Sequence, residues 1–423
     1  MKRIVITGMG AVSPLGTGTE QAWQHLLAGQ SGISTLPQSL AKGSPVPIAG
    51  WIKPLAEEPL LGLDVADHLP AKELRRIDRF IQFALIAAEE AIQQAAWRPA
   101  TEHERERTAT IIASGIGGFP AIAQAVRKGE LEGVERLSPF TIPSFLVNLA
   151  AGQVALKHQF KGPLGAPVTA CAAGVQAIGD AARLIQANEA DIVICGGAEA
   201  CIDQVSLGGF AAAKALSTQF AHAPDRASRP FDTARDGFVM AEGAGILVIE
   251  SYEHALARGA TPIAELVGYG TTSDAYHITS SPEDGAGAAR AMSIALKQAG
   301  VTPAAIDHIN AHATSTPVGD AGELAAIKHV FGTQGDSPAI SATKSSTGHL
   351  LGAAGGLEAI FAIKAITSEC CPPTINLEQV DERASGLTIV GQQALPRKID
   401  YALSNGFGFG GVNASVIFKR FVE

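Results

Sequence analysis

Short apolar or β-branched runs that end in glycine or small residues recur along the chain: Arg3 to Thr7, Ala109 to Ser114, Asp191 to Cys195, Gly245 to Glu250, Ile263 to Val267, Ile306 to Asn310, Tyr401 to Ser404 and Ala414 to Phe418. Runs of that length and composition predict buried strands. Between them the apolar positions switch to helical spacing. The pattern predicts a helix over Lys72 to Trp97, with Leu74, Ile77, Ile81, Ala84 and Ala88 on one face, and others over Ala172 to Ala187, Gly285 to Ala299, Asp320 to Phe331 and Leu357 to Ile366. The alternation is that of a layered α/β protein. Two segments rich in Gly and Ala, 169 to 187 and 343 to 366, each set a reactive-looking residue before a small-residue helix. This faint echo suits two pseudo-equivalent halves meeting near residues 251 to 262, with no low-complexity linker between them.

Composition narrows the picture. A chain of 423 residues, 46% hydrophobic and 17% charged, buries a large core, and 46 glycines with 5% aromatics suit many tight strand-to-helix turns. A net charge of -9 disfavours nucleic-acid binding through general phosphate neutralisation. The five cysteines, Cys171, Cys195, Cys201, Cys370 and Cys371, form no C-x-x-C pair and are odd in number, which fits neither a disulfide framework nor a zinc knuckle. A reducing cytoplasm is the expected setting. The first ten residues, MKRIVITGMG, hold an apolar run too short for a signal peptide, and no later stretch is expected to span a membrane.

Candidate chemistry falls at four places. Cys171, in VTACAAGVQAIGDAARLIQ, stands where a β-like run gives way to a helix, so its thiol lies at a helix N-terminus that favours thiolate. An activated nucleophile and an inert buried cysteine both remain open on that context; Cys195 and Cys201, flanking GGAEA, lack such a helix start. His312, in NAHATSTPVGD, follows a strand-like run on a loop with Thr314, Ser315 and Thr316. Lys344 and His349 share SATKSSTGHLLGAAGGLEAI with Glu358, and a fixed positive charge beside an imidazole holds it neutral; a solvated lysine at a helix entry is the alternative. The loop SNGFGFGGVNAS packs Gly406, Gly408, Gly410 and Gly411 into six residues, which exposes backbone N–H groups to a ligand or a developing oxyanion. No Walker lysine follows it. In the N-terminal GMGAVSPLG, Ser13 and Pro14 break the dinucleotide fingerprint, and no clustered metal-ligand spacing appears among the eleven histidines, so no metal is expected.

Taken together, TACAAG at 169 to 174, NAHATSTPVGD at 310 to 320, KSSTGHLLGAAG at 344 to 355 and NGFGFGGVN at 405 to 413 resemble the β-ketoacyl-acyl-carrier-protein synthases, most nearly the synthase II branch. The likeness runs from RIVITGMGAVSPLG through SRPFDTARDGFVMAEGAG to the final strand-like run. It implies a thiolase-like α/β fold, with duplicated halves (1 to 255 carrying the nucleophilic cysteine, 256 to 423 carrying two histidines) in a five-layered αβαβα core, as a homodimer. It implies Cys171 as acyl-accepting nucleophile, His312 and His349 as decarboxylation histidines, Lys344 as supporting lysine with Glu358 behind it, and the N–H groups of Cys171 and Phe409 as oxyanion donors. The reaction implied is decarboxylative condensation of an acyl thioester with malonyl-carrier in fatty acid elongation, or the equivalent step of a specialised polyketide or lipid pathway.

By the same resemblance Thr314 and Thr316 meet the phosphopantetheine arm and Thr279 lies at the tunnel mouth. Ile116, Phe210 and Phe409 line or gate the acyl pocket, and Ile142 reaches across the dimer. Ordinary core packing competes for these apolar residues, more for Ile142 than for Phe409. An acidic carrier protein docks on Lys72, Arg75, Arg76, Arg136 and Lys214, although Lys72, Arg75, Arg76 and Arg79 also read as a solvated helix face. Phosphopantetheine arrives on the substrates, so no cofactor is implied. Rival readings fit less well. A non-catalytic chain-length partner lacks the nucleophile, a thiolase has a second cysteine where NGFGFGG stands, and a hydrolase leaves the second histidine and Lys344 unexplained.

Overall fold

The computed structural model describes residues 2–333 and 337–423. Its main strands are β1 (Ile4–Ser13), β2 (Thr108–Ala113), β3 (Leu164–Gly165), β4 (Ile192–Glu199), β5 (Gly243–Ser251), β6 (Ala264–Ser273), β7 (His308–Asn310), β8 (Ala339–Ser341), β9 (Thr388–Ile389), β10 (Tyr401–Gly408) and β11 (Val412–Arg420). They pair in the order β9-β8-β7-β10-β11-β6-β1-β5-β4-β2-β3. The helices that cover them are α1 (Arg79–Gln94), α2 (Leu149–His158), α3 (Ala173–Gln186), α4 (Ala286–Ala299), α5 (Pro317–Phe331) and α6 (Ala354–Ser368).

The sheet is two copies of one plan. In β1-β5-β4-β2-β3 the successive pairings are antiparallel, antiparallel, parallel, parallel. The run β6-β11-β10-β7-β8 repeats that series. Within the sheet, among the described residues, the two copies pair through Val5 with Glu265 and Ile6 with Ala264.

Alternation along the strands builds the layers, because successive side chains point to opposite faces. In β4, Ile192 and Ile194 pack outward with α1 and α2, whereas Val193 and Cys195 pack inward on α3 and α6. In β11, Val416 and Phe418 face the same inner helices, and Ile417 faces α4 and α5. The inner pair α3 and α6 is thus buried between the two half-sheets, and the layers run αβαβα. Such an inner helix must be apolar all round. Residues Leu351–Ser368 are, by length and composition, apolar enough to cross a membrane, but 83% of that segment is buried in the inner layer.

Each of the eight predicted runs overlaps a strand. The helix expected over Lys72 to Trp97 is instead two pieces, Ala71–Leu74 and α1. Asp78 is the reason. It takes an extended conformation, its carboxylate accepts the Phe80 N–H at the start of α1, and its own N–H donates to the Ser144 carbonyl, so the preceding turn cannot continue.

Candidate active site

Cys171 sits in a 3-10 turn, Ala170–Ala172, that leads into α3, and Ala170 takes φ 48° to make the turn. The thiol is half-buried against an apolar cluster that also holds Ile116 and Phe210. The backbone N–H groups of Phe409 and Cys171 point at the sulfur, and the Lys344 ammonium acts on it through space. Burial nevertheless pushes the thiol up to about 12, with the Glu199 carboxylate adding to the rise. Burial thus works against the thiolate that the helix terminus favours.

Gly408 makes this approach possible. A Cβ there would lie 2.6 Å from the Thr169 carbonyl oxygen and 3.2 Å from the Cys171 nitrogen, so only glycine lets the end of β10 reach the turn.

His312 and His349 lie beside each other, ring centroids 5.4 Å apart and planes at 83°. Both are nearly fully buried. Phe238 stands edge-on to His349 at 5.3 Å, and Phe407 stands against His312 at 5.5 Å. Burial and the Lys344 charge hold both imidazoles well below the ordinary histidine range, so both are neutral. Nδ1 of His312 and both ring nitrogens of His349 are buried without a hydrogen-bond partner. Buried polar atoms are normally paired, so unpaired ring nitrogens side by side mark a place for a ligand oxygen.

The supports are themselves buried. The Lys344 ammonium donates to Glu358 Oε1, and both side chains are almost wholly enclosed, which rules out the solvated lysine. Burial raises the Glu358 carboxyl to about 7. His349 is zipped to the middle of the chain: its N–H donates to the Val239 carbonyl and its own carbonyl accepts the Ala241 N–H. The His312 loop hangs on Glu323, whose carboxylate accepts the N–H groups of His312 and Ala313 at 2.9 and 2.6 Å and the Asn405 amide at 3.0 Å. Asp320 accepts the N–H groups of Ser315 and Phe231, and both of those residues have positive φ, 71° and 62°.

The remaining expected residues fall at distinct places. The hydroxyls of Thr314 and Thr316 lie 3.1 Å apart, and Thr316 caps α5 by accepting the Gly319 N–H. Thr279 is exposed on a loop that meets the glycine-rich segment where Gly410 donates to the Ile278 carbonyl. Phe409 is 38% exposed with its ring 6.4 Å from that of Phe210. Ile142 is 56% exposed, so it is not core packing. Lys72, Arg75, Arg136 and Lys214 are exposed, and Arg76 stacks its guanidinium 4.3 Å above the Phe140 ring. Arg79 is only partly exposed, and its guanidinium holds the buried Glu242 and the Ile52 carbonyl. Among the described residues no group of three or more His, Cys, Asp or Glu is placed to hold a metal ion.

Two buried carboxylates were missed from sequence. Glu323 follows His312 by eleven residues, one helical turn beyond Thr316 to Asp320, where a charge on an otherwise apolar face was the available signal. Glu199 lies in the GGAEA segment at the end of a buried strand, and a charged residue there was the corresponding signal.

The family described as "Beta-ketoacyl synthase, N-terminal domain" matches residues 1–255, and "Beta-ketoacyl synthase, C-terminal domain" matches residues 263–378. The 3-oxoacyl-[acyl-carrier-protein] synthase 2 of Rhizobium meliloti (strain 1021) is 48% identical over 421 residues, covering 100% of this chain and 99% of that protein. A β-ketoacyl synthase from Burkholderia phymatum STM815 superposes over the full length of both chains with a TM-score of 0.91 at 34% identity. A ketosynthase solved in complex with its type II polyketide-synthase acyl-carrier protein, and bound to a hexaketide, does so with a TM-score of 0.89 at 33% identity.

Proposed function

We propose that this chain, which belongs to the β-ketoacyl synthase family, joins an acyl thioester to malonyl-acyl-carrier-protein by decarboxylative Claisen condensation, in fatty acid chain elongation. The observation that carries the reading is the pair of buried, neutral imidazoles with unpartnered nitrogens, sharing one lysine charge with a thiol to which two backbone N–H groups point.

Cys171 attacks the acyl-carrier thioester as its S–H proton is given up, since thiolate is the attacking species. Its sulfur takes the acyl group, and its proton leaves with the carrier's thiol. The N–H groups of Cys171 and Phe409 hold the oxyanion of the tetrahedral intermediate. Malonyl-carrier then enters. His312 and His349 donate hydrogen bonds to its thioester oxygen, the C–C bond to the carboxylate breaks, carbon dioxide leaves, and the electron pair becomes an enolate. The enolate carbon attacks acyl-Cys171, the C–S bond breaks, and the released thiolate takes up one proton from solvent. Neutral imidazoles suit this role, since each offers an N–H without the cost of burying a charge. Burial keeps both of them neutral, and the Lys344 charge, held by Glu358, adds to it. Nothing in these steps requires a redox cofactor or metal.

Ile116 and Phe210 line the acyl pocket in this reading and Phe409 gates it, while Thr314, Thr316 and Thr279 receive the phosphopantetheine arm. The acidic carrier protein docks on Lys72, Arg75, Arg76, Arg136 and Lys214, whose positive charge steers it to a chain that is negative overall. A carrier complex of a relative at 33% identity supports that choice of partner. The working unit is a homodimer; Leu131, Val134, Ile142 and Leu156, all exposed, supply apolar surface for it, with Ile142 directed to the partner's pocket. Five unpaired cysteines support a reducing, cytoplasmic setting.

Intact-mass measurement tests the reading. Incubation with acyl-carrier thioesters of several lengths is expected to leave one acyl group on Cys171, and malonyl-carrier to discharge it as a β-ketoacyl product two carbons longer. Absence of any adduct at every length would overturn it.

A further inference from the structure

The two copies of the sheet end in matching turns that are filled in opposite ways. Ala170 (φ 48°) and Leu351 (φ 50°) each open a 3-10 turn that leads into an inner helix, so Cys171 in the first copy corresponds to Gly352 in the second. Strands β4 and β10 are each eight residues long. Their last residues, Glu199 and Gly408, close the ladders opposite Gly243 and Val412.

Each turn is met by the strand end of the other copy. At Cys171 the visitor is Gly408, which has no side chain and leaves the N–H cradle beside the sulfur open. At Gly352 the visitor is Glu199, whose carboxylate fills the corresponding space. Its Oε2 accepts the N–H groups of Gly352 at 2.9 Å and Gly115 at 2.7 Å. Its Oε1 accepts the Ser114 hydroxyl at 2.7 Å and the N–H groups of Ile116 and Gly117 at 3.1 and 3.2 Å. Glu199 is fully buried. The two backbones it joins nearly touch, since a Cβ on Gly352 would lie 2.1 Å from the Gly115 nitrogen.

We propose that Glu199 is a positioning residue: its carboxylate takes the Gly352 N–H, the second copy's counterpart of the Cys171 donor, and thereby locks the acyl-pocket turn Gly115–Gly117 to the segment that follows His349. Ile116 belongs to the same apolar cluster as Cys171. Gly352 is three residues from His349. One carboxylate therefore sets the position of the acyl-chain wall and of a decarboxylation histidine together. Four of its five donors are backbone N–H groups, which can only donate, so a carboxylate fits the site and an amide does not: an –NH2 group there would face other donors.

The assignment of Ile116 and His349 rests on the condensation reading, so the test has one readout that needs no substrate. Glu199→Gln is compared with the unaltered enzyme by amide hydrogen exchange. The segments 114–117 and 350–353 are expected to lose protection together, by about 10- to 100-fold as a buried donor is left unpaired, while 405–408 is unchanged. In the same variant kcat for condensation is expected to fall by a similar factor, with KM for malonyl-carrier little altered and the preferred acyl length shifted. Ser114→Ala, which keeps the carboxylate and removes one donor, is expected to show the same pattern several-fold weaker, and it decides the matter if Glu199→Gln does not fold. Unchanged exchange in either segment, or exchange that rises in only one of them, overturns the coupling. Lost coupling with an intact chain-length profile overturns the link to acyl selection. A wild-type protein that never condenses counts against the proposed function, and the exchange result still decides the role of Glu199.

Discussion

In the first copy of the sheet the turn carries a thiol and the visiting strand ends in glycine; in the second the turn carries glycine and the visiting strand ends in a carboxylate. Backbone geometry is the same in both, down to a non-glycine residue near φ 50°. The difference shows that reactive chemistry needs a space as well as a side chain. Beside Cys171 the absence of a side chain on Gly408 leaves donors free for a substrate oxygen, whereas beside Gly352 the protein supplies its own oxygens and the donors are spent. The second copy contributes instead His312, His349 and Lys344, the groups to which the proposed reaction assigns decarboxylation, all delivered to the junction between the copies.

That division of labour can be broken most severely at the thiol. Cys171→Ala is expected to abolish condensation, by at least about 10⁴-fold in kcat, because no other group there can hold the acyl chain. The second copy's machinery is left intact, so carbon dioxide release from malonyl-carrier is expected to persist. Radiolabelled carbon dioxide capture, set beside intact mass, separates the two half-reactions.

The converse break comes next in size. His312→Ala and His349→Ala are each expected to retain acylation of Cys171 while decarboxylation falls by about 10²- to 10⁴-fold. Carbon dioxide release at the wild-type rate in both variants would sink the roles given to them. Lys344 acts on all three groups through one charge, so its loss should blur the division instead of sharpening it.

A third contrast concerns stability. On β7 of the second copy His308 is fully buried, its Nδ1 3.0 Å from the Ala339 carbonyl; the matching residue of β2 is Ala109, since each pairs with the second residue of its neighbouring strand. Burial lowers His308 from 6.5 to about 4. The unfolded chain then takes up a proton near pH 6.5 that the folded chain refuses until about 4. Stability from this group is therefore whole above pH 6.5 and lost as pH falls toward 4, by about 3 kcal/mol in all. Denaturant melts of His308→Gln against wild type from pH 7 to 4 are expected to diverge at the start and converge as the wild type loses that increment.

Much of this was legible in the sequence, because strands buried on both faces are continuous apolar runs and every one of the eight such runs proved to be strand. The four motifs that carry Cys171, His312, Lys344 with His349, and Phe409 do converge on one site. Three things were not legible. The break before α1 depends on Asp78 and a Ser144 carbonyl more than sixty residues away. The raised Cys171 thiol depends on burial, which a helix-start motif does not report. Glu199 and Glu323 act by collecting backbone donors from remote segments, and backbone donors have no signature in side-chain identity.

The smallest expected effect lies outside the junction, on the basic surface proposed to receive the carrier. Lys72 and Lys214 are exposed, and among the described residues neither has a carboxylate within ion-pair distance. Reversing either charge removes steering without touching the thiol or the histidines. Lys214→Glu, or Lys72→Glu, is expected to lower kcat/KM for acyl-carrier by about several-fold at low salt, with the gap closing as ionic strength shortens the reach of the field. Acylation by a small thioester that lacks the carrier should be unaffected. A loss that appears equally with the small thioester would mean that the substitution disturbed the pocket itself, since a neutral small substrate has nothing to gain from a distant positive charge.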